Sequence, residues 1–386
     1  MINVLHLRDT DRICGPGKTI IETACATDRS AFSQKIGLFE VAGEPPSIYH
    51  QAALARGVEV IPVRSAHPYD PRLVTTLLDI VKRHDIHIVH SHEYKSDLLT
   101  WALRRIHRVP IMTTIHGWIT NSRKARIMVG LSQKVLGGFD RVVAVSEGTR
   151  RRVLACGVPA DKLVVIHNAI VTANYRPDAQ APGFLRQRFS LPEGALIVGS
   201  IGRLSPEKGQ YDMLEAIRRI APVRPHVYFV LVGDGPDRAG LEERVQAEGL
   251  AGRVLFTGHL NDVRPVYRDL DILALTSHTE GFPNVVLEAL CMETPVLATD
   301  VGGTAEIVED EQTGVLIPAR APDRIERGLL RLIDDPAGAA RLMRAGREAV
   351  FARFDFQARV AREEALYREI LSAAPLGSRP ARNSHP

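Results

Sequence analysis

The stretch HTEGFPNVVLEALC, residues 278–291, decides the reading of this chain. It follows the apolar run DILALTS, residues 271–277, which reads as a buried strand. Gly281, Pro283 and Asn284 then lead into a helix, because Pro suits a first turn and Asn caps one. The amino end of such a helix is a natural anion site, with unpaired amides and the positive end of the helix dipole. Glu280 stands in the loop before it, where a carboxylate accepts hydrogen bonds from sugar hydroxyls. Glu288 stands about two turns into the helix, where it can grip a ribose diol. Taken singly, the two would pass for a first-turn acid that favours the dipole and an ordinary surface glutamate.

Outward from this stretch, short β-branched runs alternate with helical segments in two series. The first holds INVLHL, KIGLF, VEVIPV, IHIVHSH, PIMTTIHG, RVVAVS and LVVIHN. The second holds LIVGSIGRL, VYFVLVGDG, VLFTGHL, DILALTS, PVLATD and GVLIP. Runs that are apolar on both faces suit buried parallel strands, and their alternation with helices predicts βαβ units in doubly wound sheets. A length of 386 residues fits two such domains. The Pro-, Ala- and Gly-rich segment following residue 170 predicts a linker near 170–185, and the tail 374–386 reads as disordered. Ligands of open α/β sheets bind at the carboxyl ends of the strands, so two facing sheets predict a cleft there.

One of those strand ends, in the second series, carries RLSPEKG. Arg203 and Lys208 are two cations placed to clamp a diphosphate, Arg as a planar fork and Lys as a point charge. Solvated surface cations are the plainer reading of such a pair. Together, however, Glu280 and Glu288 (an E-x7-E spacing), GRLSPEKG, VLVGDGP, FTGHL and TDVGGTAEIVEDEQTGVLI resemble the large family of retaining glycosyltransferases with the GT-B fold, the family 4 type also called group 1. The resemblance covers nearly the whole chain. It implies two facing Rossmann-like domains, 1–175 on the acceptor side and 183–354 on the nucleotide-sugar side, with a cleft between them and a carboxyl-terminal crossover helix at about 355–373. It also implies that Arg203 and Lys208 hold the donor diphosphate, Glu288 the ribose and Glu280 the transferred sugar. Backbone amides near Gly281, Phe282, Asn284 and Val285 complete the cradle, and Leu260 lies near the base. HNAIV, residues 167–171, departs from the family's usual P-N-G-[IV]-D hinge.

The amino-terminal half fits less tightly. The strand ends IHIVHSH and TTIHGW carry His90, His92 and His116. The resemblance gives His116 a contact with the donor sugar, beside the reacting centre. His90 and His92 stand equally between structural and acceptor-site roles. RICGPGKTI, residues 12–20, mimics a phosphate loop, but Arg12 stands where the first glycine of a Walker A motif belongs. The resemblance instead makes Gly15 and Gly17 a close-approach loop against donor phosphate, with Lys18 and Thr19 in the first helix. Asp9 and Asp11 form a D-x-D triplet before the wrong element for metal binding, and no cofactor and no essential metal are expected.

The charge is unevenly spread. Residues 1–175 hold 23 Lys and Arg against 15 Asp and Glu; the remainder holds 26 against 30. Within 101–152 the count is 11 basic to 2 acidic. A basic face of this kind favours an anionic partner: a lipid-linked or phosphorylated glycan acceptor, or an anionic membrane surface. Aromatics are 5% and do not interleave with the basic residues, which argues against nucleic acid. The four cysteines form no C-x-x-C pair, and the start MINVLHL lacks signal-peptide character, so a cytoplasmic setting, peripheral on the inner membrane face, is expected. The resulting expectation is a metal-independent retaining hexosyltransferase in cell-surface polysaccharide or lipopolysaccharide synthesis, UDP-sugar favoured. A nucleotide-sugar epimerase of the same fold and a noncatalytic sugar-binding protein are the alternatives. A P-loop NTPase lacks its first glycine, and an NAD-dependent oxidoreductase lacks a G-x-G-x-x-G after a strand.

Overall fold

The computed structural model describes residues 1–11, 13–67, 70–177 and 183–373. It divides into two units, Met1–Asn168 with Gln357–Pro386, and Ala169–Phe356. The first unit carries β1 (Ile2–Arg8), β2 (Phe32–Val41), β3 (Val60–Ser65), β4 (Ile88–Ser91), β5 (Ile111–Ile115), β6 (Arg141–Ala144) and β7 (Leu163–Val165). Its sheet runs β3-β2-β1-β4-β5-β6-β7, parallel throughout. The second carries β8 (Leu196–Ile201), β9 (Val227–Val232), β10 (Val254–Gly258), β11 (Ile272–Leu275), β12 (Val296–Thr299) and β13 (Val315–Ile317). Its sheet runs β10-β9-β8-β11-β12-β13, again parallel.

Every apolar run of the sequence contains a strand, but most strands stop before their runs do. β4 ends at Ser91 while its run continues to His92, and β8 ends at Ile201 while its run continues to Leu204. The overrun residues form the loops at the carboxyl ends, where a doubly wound sheet keeps its chemistry. In both sheets the order reverses at the first strand, between β1 and β4 and between β8 and β11. Those reversals are the topological switch points.

Helices cover the faces with ordinary amphipathic spacing. Gln210–Ile220 buries Met213, Leu214, Ile217 and Ile220 against Phe229 and Leu231. The helix Phe356–Ala373 sets Leu366, Tyr367 and Ile370 against Val4, Phe32, Ile88 and Met112 of the first unit. The segment read as a linker is structured where described: Thr172–Asn174 forms a helical turn and Tyr175 is fully buried. The rest of it at 178–182, and the tail 374–386, lie outside the described residues. Among the described residues no helix is long and apolar enough to cross a membrane.

Candidate active site

The switch point of the second unit places Lys208 beside Glu280. Lys208 ends a short 3-10 turn, Pro206–Lys208, after β8, and Glu280 follows β11. Lys208 Nζ donates to Glu280 Oε1 at 2.6 Å, and Ser277 Oγ donates to the same oxygen at 2.6 Å. The Glu280 side chain is 10% exposed and that of Lys208 25%, so the pair is open enough to be reached and buried enough to be held.

Hydrogen bonds between loops fix this geometry. Thr276 Oγ1 donates to the carbonyls of Lys208 and Gly209, and the His278 amide donates to the Glu207 carbonyl at 2.8 Å. Thr299 Oγ1 donates to the Ser277 carbonyl at 2.6 Å. Two glycines are required for the fit. Gly209 has φ +65°, and a Cβ there would lie 2.1 Å from the Thr276 oxygen; Gly302 has φ +60°, and a Cβ there would lie 1.9 Å from the Glu280 oxygen. Backbone contact this close holds the loop after β8 and the loop after β12 against the Glu280 loop.

The helix after Glu280 is Asn284–Cys291, with Pro283 as its N-cap and no side-chain cap bond. Asn284 is therefore the first helical residue rather than the cap, and the first amides, Asn284 and Val285, have no intrahelical acceptor. Phe282 is 4% exposed and packs edge-on against Phe354 at 5.4 Å, so only its backbone can serve a ligand. Gly281 accepts a hydrogen bond from the Gly303 amide at 2.9 Å. Arg203 follows β8 with an exposed side chain and makes no ion pair among the described residues. Leu260 follows β10, partly buried.

Glu288 is not a surface glutamate. It is 4% exposed, and its two oxygens accept from Tyr175 Oη at 2.6 Å and Tyr267 Oη at 2.9 Å. Burial, then the Glu288 charge, holds the Tyr267 hydroxyl well above its ordinary range. The phenols occupy two of roughly four acceptor positions of the carboxylate and fix its plane.

In the first unit, the glycines lie differently from the expected loop. Gly15 and Gly17 already belong to the first turn of the helix Gly15–Ala26, which has Pro16 inside that turn. Close approach at Gly17 is made by Tyr49: its ring would meet a Cβ at 2.8 Å, and its hydroxyl donates to the Gly17 carbonyl at 3.0 Å. The tight packing that requires Gly17 in this structure is therefore that of the Tyr49 ring. His90 is fully buried between Tyr367 and Thr114, each at 2.8 Å. His92 Nδ1 lies 3.1 Å from His116 Nε2. Burial holds all three imidazoles well below their ordinary range.

The chain compares directly with known proteins. A model described as glycosyl transferases group 1 matches residues 183–349, and one described as glycosyltransferase family 4 matches residues 36–174. A D-inositol 3-phosphate glycosyltransferase from Saccharomonospora viridis is 30% identical over 74% of this chain and 70% of its own length. The chain belongs to the group 1 glycosyltransferases. This glycosyltransferase is also 31% identical to a 2-deoxystreptamine glucosyltransferase from Streptomyces kanamyceticus, over 62% of its own length and 59% of that relative's. Its fold superposes on that of Anabaena HepE, solved in complex with UDP and glucose, with a TM-score of 0.84 at 22% identity, covering 97% of this chain and 100% of the other. Both domains of this glycosyltransferase are Rossmann-like, as in the GT-B fold.

Sequence reasoning missed four residues around these sites. Tyr175 and Tyr267 were silent as single aromatics, and only the sheet topology brings them to Glu288. Arg8 ends β1, is 7% exposed, and donates through one guanidinium nitrogen to Cys14 Sγ at 3.1 Å. Glu93 caps the helix Tyr94–Ile106, accepts the Asp9 amide, and is pushed up to about 7 by burial against the pull of Arg8. A group titrating near neutrality at a switch point is the kind of group that sites use. Its signal in the sequence was only that it follows the strand-end histidines.

Proposed function

We propose that this glycosyltransferase moves a hexose-type sugar, with retention, from a nucleotide sugar to a phosphorylated or lipid-linked glycan acceptor. The observation that carries the reading is Lys208 held at Glu280, four residues before the amino end of the helix Asn284–Cys291. There a cation, helix amides and a carboxylate converge on one strand-end locus. Lys208, Arg203 and the amides of Asn284 and Val285 stabilise the leaving diphosphate, whose charge develops as the glycosidic bond breaks. Glu280 takes hydroxyls of the sugar, with Gly281 and Phe282 supplying backbone. Glu288, oriented by its two phenols, takes the ribose, and Leu260 borders the base.

Lys208 exchanges partners when the donor arrives, because a diphosphate offers more charge than the single carboxylate that holds it in the free protein. No metal is assigned a part, since these cations and amides serve the phosphate charge directly. The acceptor hydroxyl attacks from the face the diphosphate leaves, and the departing phosphate takes its proton. UDP is the favoured nucleotide, as in the Anabaena complex. His116 in the first unit serves a sugar hydroxyl.

The acceptor side rests on the helix Arg123–Val135. It carries Arg123, Lys124, Arg126 and Lys134 and no acid, and Ile127 and Leu131 stand exposed one turn apart. Ile119 is exposed just before it. Basic residues with exposed aliphatics on one helix suit an anionic, interfacial surface, which fits polysaccharide or lipopolysaccharide assembly at a membrane. The test is calorimetric. Glu280→Ala should abolish transfer and leave UDP affinity intact or raised, because it frees Lys208, while Glu288→Ala should weaken UDP binding. Equal UDP affinity in Glu288→Ala and wild type would remove the ribose assignment.

A further inference from the structure

His116 is the end of a hydrogen-bonded file that begins on the carboxyl-terminal helix. Each link is forced by the one before it. The Glu364 carboxylate can only accept, and Thr27 Oγ1 donates to it at 2.7 Å. Thr27 then accepts from Gln34 Nε2 at 3.0 Å, which turns Gln34 Oε1 toward His6. His6 Nε2, 2.9 Å from that oxygen, must carry a proton. A neutral His6 leaves Nδ1 bare, so His92 Nε2, at 2.9 Å, must be the donor. His92 Nδ1 is then bare and accepts from His116 Nε2 at 3.1 Å. What remains is His116 Nδ1, buried and without a hydrogen-bond partner among the described residues.

Burial lowers the proton affinity of His6 and strongly lowers that of His92 and His116, which keeps the file neutral. His90 stands beside it in the opposite tautomer. Tyr367 donates to Glu363 at 2.9 Å, so it accepts His90 Nδ1–H, and Thr114 donates to His90 Nε2.

We propose that Glu364, Thr27, Gln34, His6 and His92 are positioning residues that lock His116 as the Nε2–H tautomer, so that its bare Nδ1 accepts a substrate hydroxyl and cannot donate to one. This rests on the glycosyl-transfer reading above for the nature of the substrate. A buried acceptor with no donor is costly, and a hydroxyl supplies the missing proton. A site that can only accept admits a hydroxyl-bearing ligand and rejects one that presents a bare oxygen in the same place.

A cation site is the competing use of these rings, since nitrogens of His6, His90 and His92 all lie within 4.8 Å of one another. The contacts oppose it. His6 Nδ1 and His92 Nε2 are 2.9 Å apart with one proton between them, whereas two imidazoles on one tetrahedral zinc sit about 3.3 Å apart. Both nitrogens of His90 are already engaged.

Ring-15N-histidine spectra of the full chain test this directly, with signals assigned by single His replacements. The expected pattern is Nε2–H for His6, His92 and His116 and Nδ1–H for His90, all neutral at pH 7.5. Gln34→Leu removes the acceptor that sets the direction, and Thr27→Val lets the Gln34 amide turn. Either should convert His116 to mixed tautomers and lower kcat/KM for donor turnover about fivefold, the scale of one misdirected hydrogen bond, with UDP affinity unchanged. His116 found as Nδ1–H in the wild type, a single Nε2–H tautomer kept in both variants, or stoichiometric zinc that survives dialysis would each overturn the relay. Expected tautomers in a wild type that turns over no donor would support the relay and refute glycosyl transfer instead.

Discussion

Lys208 Nζ and Glu280 Oε1 are 2.6 Å apart, although 72 residues separate them in the chain. The contact exists because β8 and β11 are neighbours across the switch point and because Gly209 lets the Lys208 turn reach the Thr276 carbonyl. Lys208→Ala should weaken UDP binding by about 1.5–3 kcal/mol, the range for a hydrogen bond to a charged group, as measured by titration calorimetry. An unchanged affinity would place the diphosphate elsewhere.

The two glycines that join the loops make a structural prediction. Gly209→Ala and Gly302→Ala each combine a positive φ with a Cβ near 2 Å from a backbone oxygen. Each should lower stability by more than about 1 kcal/mol, from the left-handed conformation alone, with the contact adding to it. Thermal unfolding checks this, and activity should fall with the displaced loop.

Glu288 should behave as a structural and a binding residue at once. Replacing Tyr175 by Phe removes one hydrogen bond and should cost about 1 kcal/mol. Glu288→Ala leaves two buried phenols without their acceptor and should cost about 1–3 kcal/mol for each group left unpaired. If Tyr175→Phe keeps full stability but loses UDP affinity, the phenol orients the carboxylate rather than supporting the fold.

Much of this was legible beforehand, and the exceptions have physical causes. The thirteen strands among the described residues showed because buried parallel strands are apolar on both faces and their short runs are bounded by turn residues. The strand-end positions of Glu280, Lys208 and Arg203 showed because such loops carry polar residues amid apolar runs, whereas the Lys208–Glu280 contact did not show. The buried state of Glu288 did not show, since its partners sit 113 and 21 residues away on Tyr175 and Tyr267. The Tyr49 contact at Gly17 did not show, because a glycine does not announce which neighbour comes close. The histidine file was invisible for the same reason: Gln34 and His6 are unremarkable residues on separate strands until the sheet aligns them.

Stability should depend on pH in two opposing ways. Below 6.5 the unfolded histidines bind protons while buried His6, His90 and His92 and half-buried His116, their proton affinities lowered, stay neutral, so stability falls as pH drops through that value. Glu93 acts oppositely: pushed up to about 7 by burial, it keeps a proton from about pH 4.5 to 7 that the unfolded state has lost, so its contribution falls as pH rises. Glu93→Gln should therefore raise Tm relative to wild type at pH 7.5, with the gain shrinking toward pH 5. A gain of equal size at both values would remove Glu93 from the balance.

The helix Arg123–Val135 gives a prediction about surfaces. Binding to vesicles containing anionic lipid should exceed binding to neutral vesicles and weaken as salt rises. Ile127→Glu and Leu131→Glu should reduce it while leaving UDP affinity unchanged. Equal binding to both vesicle types at low salt would remove the anionic surface from the account.

Nucleotide release without acceptor, from a panel of UDP-, GDP-, ADP- and dTDP-sugars with Glu280→Ala as control, tests whether the Glu280 locus serves a nucleotide sugar. Slow release is expected from one donor, UDP-linked, and should disappear in Glu280→Ala while UDP still binds. No nucleotide binding from any member of the panel, or release undiminished in Glu280→Ala, would contradict it.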